Sequence, residues 1–126
     1  MTKASIATTK YQVRLENGRH VFSADEPAEQ GGLDSAPTPD ELLEAALASC
    51  TAITLRMYAD RKQWPVESID VDVALERTEG KTVFSRNIHL KGNLDQEQKD
   101  RLLQIAKLCP VSKTLTGSIE VNSSIQ

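Results

Sequence analysis

The spacing of apolar and polar positions changes period several times along the chain, and each change marks an element. Residues 10–24 read as two strands joined at Asn17-Gly18, a dipeptide that tolerates the positive φ a tight hairpin requires. Residues 25–38 lose all apolar periodicity and carry Pro27, Gly31-Gly32 and Pro37, which predicts a loop of a length often tied to function. At Thr38 a helical period begins. Thr38 suits the N-cap, Pro39 the first helical position and Glu41 the reciprocal half of a capping box. Apolar residues follow at Leu43, Ala46, Leu47, Cys50, Ile53, Met57 and Tyr58, and Trp64-Pro65 ends the run after about Lys62. At about 1.5 Å per residue the helix is a rod of roughly 36 Å. That is as long as a domain of this size is wide, so a partner chain is expected to cover it.

The second half repeats the scheme. Ile69, Val71, Val73 and Leu75 alternate with Asp70, Asp72 and Glu76, which predicts a half-buried strand. Glu79-Gly80 marks a turn, and Phe84, Ile88 and Leu90 a returning strand. After Gly92-Asn93, Asp95 and Gln98 form a second capping pair, ahead of a helix with Leu102, Leu103, Ile105, Ala106 and Cys109 on its apolar side. Pro110 disturbs that helix. Ile119, Val121 and Ile125 suggest a last strand. The order ββ-α-ββ-α-β is an α+β pattern built on antiparallel hairpins.

Composition narrows the function. Residues 1–126 are one domain by length, enough for a single core. The net charge of −3, with both signs interspersed, lacks the basic face of a nucleic-acid binder, and 4% aromatic residues leave little to stack bases on. The first ten residues show no signal-peptide pattern, and no apolar run reaches the roughly 18 residues of a membrane span. A cytoplasmic protein without membrane or nucleic-acid partners is the expectation.

The chemistry rests on two cysteines. Cys50 falls mid-helix and Cys109 at the end of the second helix, both on apolar stripes. Residue pattern alone leaves two readings: small buried hydrophobes, or a redox pair. There is no CxxC, and Cys50, Cys109, His20 and His89 have no metal-ligand spacing, so neither zinc nor another cofactor is expected.

Several segments together resemble the OsmC/Ohr family, which takes its name from osmotically inducible protein C and organic hydroperoxide resistance protein. They are Asp25-Glu26-Pro27 with Gly31-Gly32, Pro39-Asp40-Glu41-Leu42-Leu43 through Ala48-Ser49-Cys50-Thr51, Leu55-Arg56-Met57-Tyr58-Ala59, and Ile105 through Cys109-Pro110-Val111. The resemblance is collinear over nearly the whole chain and points to the OsmC-like branch. It implies an intertwined homodimer in which antiparallel sheets wrap long central helices. It also implies a thiol-dependent peroxidase that reduces organic hydroperoxides. Cys50 maps to the peroxidatic cysteine and Cys109 to the resolving one, with an external dithiol as reductant, a dihydrolipoyl group in some relatives. The carboxylate of the site maps to Asp40 and its arginine to Arg19, with Arg14 as the other candidate; Arg56 is read as structural. Ser112 stands where close relatives often carry histidine. The alternative is a weakly catalytic or non-catalytic module of the same fold that binds a small ligand or senses oxidants. Leu47, Ile53, Met57 and Leu108 are the expected lining of an apolar pocket near Cys50.

Overall fold

Asn17 and Gly18 turn the chain as their chemistry predicts: Gly18 takes a φ of 91°, and the Asn17 side chain accepts from the backbone N–H groups of Arg19 and His20. The computed structural model describes residues 1–126, which divide into two units, Met1–Leu43 and Glu44–Gln126. In the first unit, β1 (Lys3–Ser5), β2 (Val13–Glu16) and β3 (Val21–Ala24) form an antiparallel sheet in that order. Val13 faces Ala24 and Leu15 faces Phe22 across the hairpin. β1 has no counterpart in the sequence reading, because its three exposed residues carry no apolar alternation.

The loop after β3 is organised by a buried carboxylate. Asp25 is 1% exposed and accepts from the backbone N–H of Tyr11 (3.2 Å), Glu26 (2.7 Å) and Ser35 (3.1 Å), and from the Ser35 hydroxyl (2.5 Å). The loop holds one 3₁₀ turn, Ala28–Gln30, closed by Gly31 at a φ of 88°. A Cβ on Gly32 would overlap the Glu26 carbonyl, so the chain can fold back on itself there only with glycine.

α1 (Pro39–Lys62) begins with the expected capping box: the Glu41 N–H donates to the Thr38 hydroxyl (3.1 Å) and the Thr38 N–H to the Glu41 carboxylate (3.0 Å). Its buried stripe is Leu47, Thr51, Leu55 and Ala59. This corrects the expected stripe, since Leu43, Ile53 and Met57 are exposed in the protomer. Apolar residues run almost all round this helix, so a 3.6-residue period fits more than one face. The helix is long and apolar enough to span a membrane by length and composition, but Leu55 and Ala59 belong to a protein core.

In the second unit β4 (Val66–Thr78) and β5 (Lys81–Gly92) make one long antiparallel hairpin through Gly80. Ile69, Val71, Val73 and Leu75 stand opposite Leu90, Ile88, Arg86 and Phe84. α2 (Gln96–Ala106) starts with a complete Asp95/Gln98 capping box. Leu55, Ala59, Val66, Leu102, Ile105 and Ala106 form the core, with Tyr58, Trp64, Ile69, Ile88, Leu90 and Leu94 packed around it. Leu103, expected inside, is exposed. Arg56 is structural as expected, donating to the carbonyls of Val66 (2.8 Å) and Glu67 (3.4 Å).

The C-terminal region differs from the sequence reading. Pro110 opens a further helix, α3 (Pro110–Thr116), because a residue without an N–H fits the first helical position at no cost. The last strand is absent: residues 118–126 carry no secondary structure, and Ile119, Val121 and Ile125 are exposed. Alternation alone does not make a strand when no neighbouring strand supplies the hydrogen bonds.

Candidate functional site

Three elements of the second unit bring the cysteines together. α1 carries Cys50 and Thr51 on adjacent faces, so Thr51 is fully buried while Cys50 remains partly exposed. Cys109 sits at the junction of α2 and α3, fully buried, as the N-cap of α3. Its sulfur accepts the Ser112 backbone N–H at 3.4 Å and lies 3.8 Å from the hydroxyl of Thr51, the residue that follows Cys50 on α1.

The third element is β5. Along it Phe84, Arg86, Ile88 and Leu90 share the half-buried face, so Arg86 occupies an inward position in an apolar row. Its Nη1 donates to the Thr51 hydroxyl at 3.0 Å and the Ala106 carbonyl at 3.1 Å, and lies 4.0 Å from the Cys109 sulfur. Burial pushes the Cys109 pKa up. The Ser112 N–H, the Thr51 hydroxyl, the Cys50 thiol and the Arg86 charge together outweigh it, and the thiol sits below its ordinary range. A cleft of about 370 Å³ lined by Leu47, Phe84, Arg86, Leu103, Ser112 and Leu115 adjoins this cluster.

The sequence-assigned residues fall in two places. Cys50 and Cys109 are brought together. Asp40 and Arg19 belong to the N-terminal unit, Asp40 half-buried in the first turn of α1 and Arg19 exposed at the β2–β3 turn beside His20. Arg14 pairs with Glu16 at 2.6 Å on β2. Ile53 and Met57 line a shallow groove with Ala52, Arg56 and Ile69, and Leu108 is exposed, so the expected pocket lining is not assembled within one protomer. Arg86 and Thr51 are absent from the sequence-assigned site, and Ser112 enters it only as the residue standing where close relatives often carry histidine. Arg86 and Thr51 left a signal: each is a polar residue in a slot that strand or helix periodicity assigns to the interior.

A family model described as OsmC-like protein matches residues 32–124. The chain belongs to the OsmC-like family. YmaD of Bacillus subtilis (strain 168), an uncharacterised protein, is 25% identical over 118 residues, covering 85% of this chain and 79% of that protein. The crystal structure of the organic hydroperoxide resistance protein OsmC of Legionella pneumophila is 26% identical, with a TM-score of 0.67 over 93% of this chain and 88% of that one. An OsmC-like protein of Mycoplasma pneumoniae, at 17% identity, shares the fold with a TM-score of 0.77 over 93% of this chain and 86% of that one. The α+β architecture with antiparallel sheets is therefore that of the OsmC-like family.

Proposed function

We propose that this OsmC-like protein is a cytoplasmic thiol-dependent peroxidase acting on organic hydroperoxides as a homodimer. The observation that carries the proposal is the 3.8 Å contact of the Cys109 sulfur with the hydroxyl of Thr51, the neighbour of Cys50 on α1, which puts two thiols from distant parts of the chain in one neighbourhood of a single unit. Partial exposure favours Cys50 as the group that meets peroxide, and full burial favours Cys109 as the resolving group.

The Cys50 thiolate attacks the distal peroxide oxygen. The O–O bond breaks, an alcohol leaves after taking a proton, and Cys50 becomes a sulfenic acid. Cys109 then attacks that sulfur, releasing water and closing the disulfide, which an external dithiol, of dihydrolipoyl type in this reading, reduces by exchange. Arg19 and Asp40 keep the roles the resemblance gives them, Arg19 as the cation that favours the Cys50 thiolate and Asp40 as the carboxylate paired with that arginine.

Intact mass after one equivalent of cumene hydroperoxide tests the scheme. Wild type loses two hydrogens, Cys109→Ser gains one oxygen, and Cys50→Ser is inert, because serine provides no thiolate near neutral pH. Reversed behaviour of the two variants assigns the roles the other way. If neither thiol reacts within minutes, the peroxidase reading is removed. A second reading, a redox-sensing or ligand-binding module, draws support from the cationic contact falling on Cys109 and from Ser112 in place of histidine. That failure would establish it.

A further inference from the structure

Arg86 is a permanently charged side chain in an apolar row of β5, and its position calls for an anion. Its Nη1 faces two neutral oxygens, on Thr51 and Ala106, and one ionisable atom, the Cys109 sulfur. Thr51 can follow a change of charge there. Its hydroxyl has one hydrogen, which it donates to the Leu47 carbonyl at 2.7 Å while accepting from Arg86. A Cys109 thiol can then donate to Thr51, whereas a Cys109 thiolate draws the hydroxyl hydrogen to itself across the 3.8 Å contact. The Ser112 N–H points at the sulfur in either state.

We propose that Arg86, with Thr51 and the Ser112 N–H, holds Cys109 as the leaving thiolate when the Cys50–Cys109 disulfide is reduced, so that the reducing dithiol attacks Cys50 and not Cys109. This rests on the disulfide chemistry of the proposed function. The reductant's thiolate attacks the Cys50 sulfur, which is partly exposed, while the Cys109 sulfur is fully buried. The S–S bond breaks and its electron pair stays on Cys109, opposite the guanidinium. Cys50 is left in a mixed disulfide with the reductant. The reductant's second thiol, as thiolate, attacks the reductant sulfur in that bond and expels the Cys50 thiolate; Cys50 and Cys109 each take up one of the two protons the reductant's thiols gave up, so the reductant ends as a disulfide and the protein as two thiols. Exchange is faster when the thiol that leaves has the lower pKa, so the cluster sets both the site of attack and its rate. Arg86 beside a buried Cys109, with Cys50 partly exposed, thus separates the partners: one cysteine is reached and the other is released.

The test forms the disulfide with diamide, so it does not depend on reaction with peroxide. The oxidised protein is treated with a monothiol, glutathione, quenched with acid and digested. Glutathione is expected on Cys50; an adduct found mainly on Cys109 overturns the proposal. In a Cys50→Ser background, thiolate absorbance followed against pH reports Cys109 alone. Arg86→Gln is expected to move that titration to higher pH and Arg86→Lys to restore it, while exchange in the two-cysteine Arg86→Gln protein slows by about threefold or more. If Arg86→Gln is too unstable to study, Arg86→Lys and Thr51→Val carry the comparison, and Thr51→Val is expected to shift the titration in the same direction as Arg86→Gln. Titrations that coincide with and without the cation overturn the proposal. Inert thiols toward hydroperoxide, with the exchange behaviour intact, would instead remove the peroxidase reading and leave this one standing.

Discussion

At the scale of single residues, the buried acid of the N-terminal unit and the arginine of β5 obey the same rule, that a polar group inside a protein persists only where partners replace its water. Asp25 has four hydrogen-bond donors, the Ser35 hydroxyl foremost, which outweigh the cost of burial and lower its pKa from 3.8 to about 2. A lowered carboxylate pKa stabilises the fold above the unfolded value and loses that contribution as pH falls from about 4 through about 2. Circular dichroism between pH 5 and pH 2, a range of about three units, is therefore expected to show a loss of structure in the wild type. Asp25→Asn, which keeps the shape but not the charge, is expected to be less stable at neutral pH and to depend less on acid. An unchanged acid profile in that variant would remove Asp25 as the organiser of the loop. Residues 25–27 were visible in the sequence as a motif, but not as a hydrogen-bond hub, because its donors at Tyr11 and Ser35 lie far off along the chain. Arg86 was hidden for a different reason. Phe84, Ile88 and Leu90 suffice to define the strand, and although Arg86 falls in their inward register, the sequence does not name its partners on two helices.

At the scale of elements, what was legible in the sequence was local. Both capping boxes, the Asn17-Gly18 hairpin and the Gly80 turn depend on residues within a few positions of one another, and all four form as expected. What a helix faces depends on other elements, and there the reading of α1 and α2 failed in part. Leu43, Ile53, Met57 and Leu103 are outside while Thr51 is inside. The exposures make a definite energetic statement. Leu102 is 1% exposed at the centre of the core of the second unit, whereas its neighbour Leu103 is 51% exposed. Leu102→Ala is expected to cost about 2–5 kcal/mol of unfolding free energy, through lost burial and the cavity left behind. Leu103→Ala is expected to cost less than half of that. Urea titrations of the two variants compare them directly, and equal losses would mean that Leu103 is covered in solution. The final strand was the one element the pattern promised and the protomer does not form. Ile119 and Val121 alternate correctly, but pairing is a property of two strands and a sequence displays only one.

At the scale of the whole molecule, the homodimer drawn from the family resemblance gives the exposed apolar residues an occupant. Sedimentation at micromolar concentration is expected to give twice the 13.9 kDa of one chain. A species of single-chain mass would withdraw the dimer and leave Leu43, Ile53 and Met57 of α1 to water. If the dimer holds, these residues make folding a reaction between two molecules. A two-chain native state is favoured by concentration, with each tenfold dilution shifting a simple association by about 1.4 kcal/mol. The melting temperature should then fall as the protein is diluted, while a chain that folds alone melts at one temperature whatever its concentration. In a cell, the amount of this protein present would then help to set how well each copy is folded.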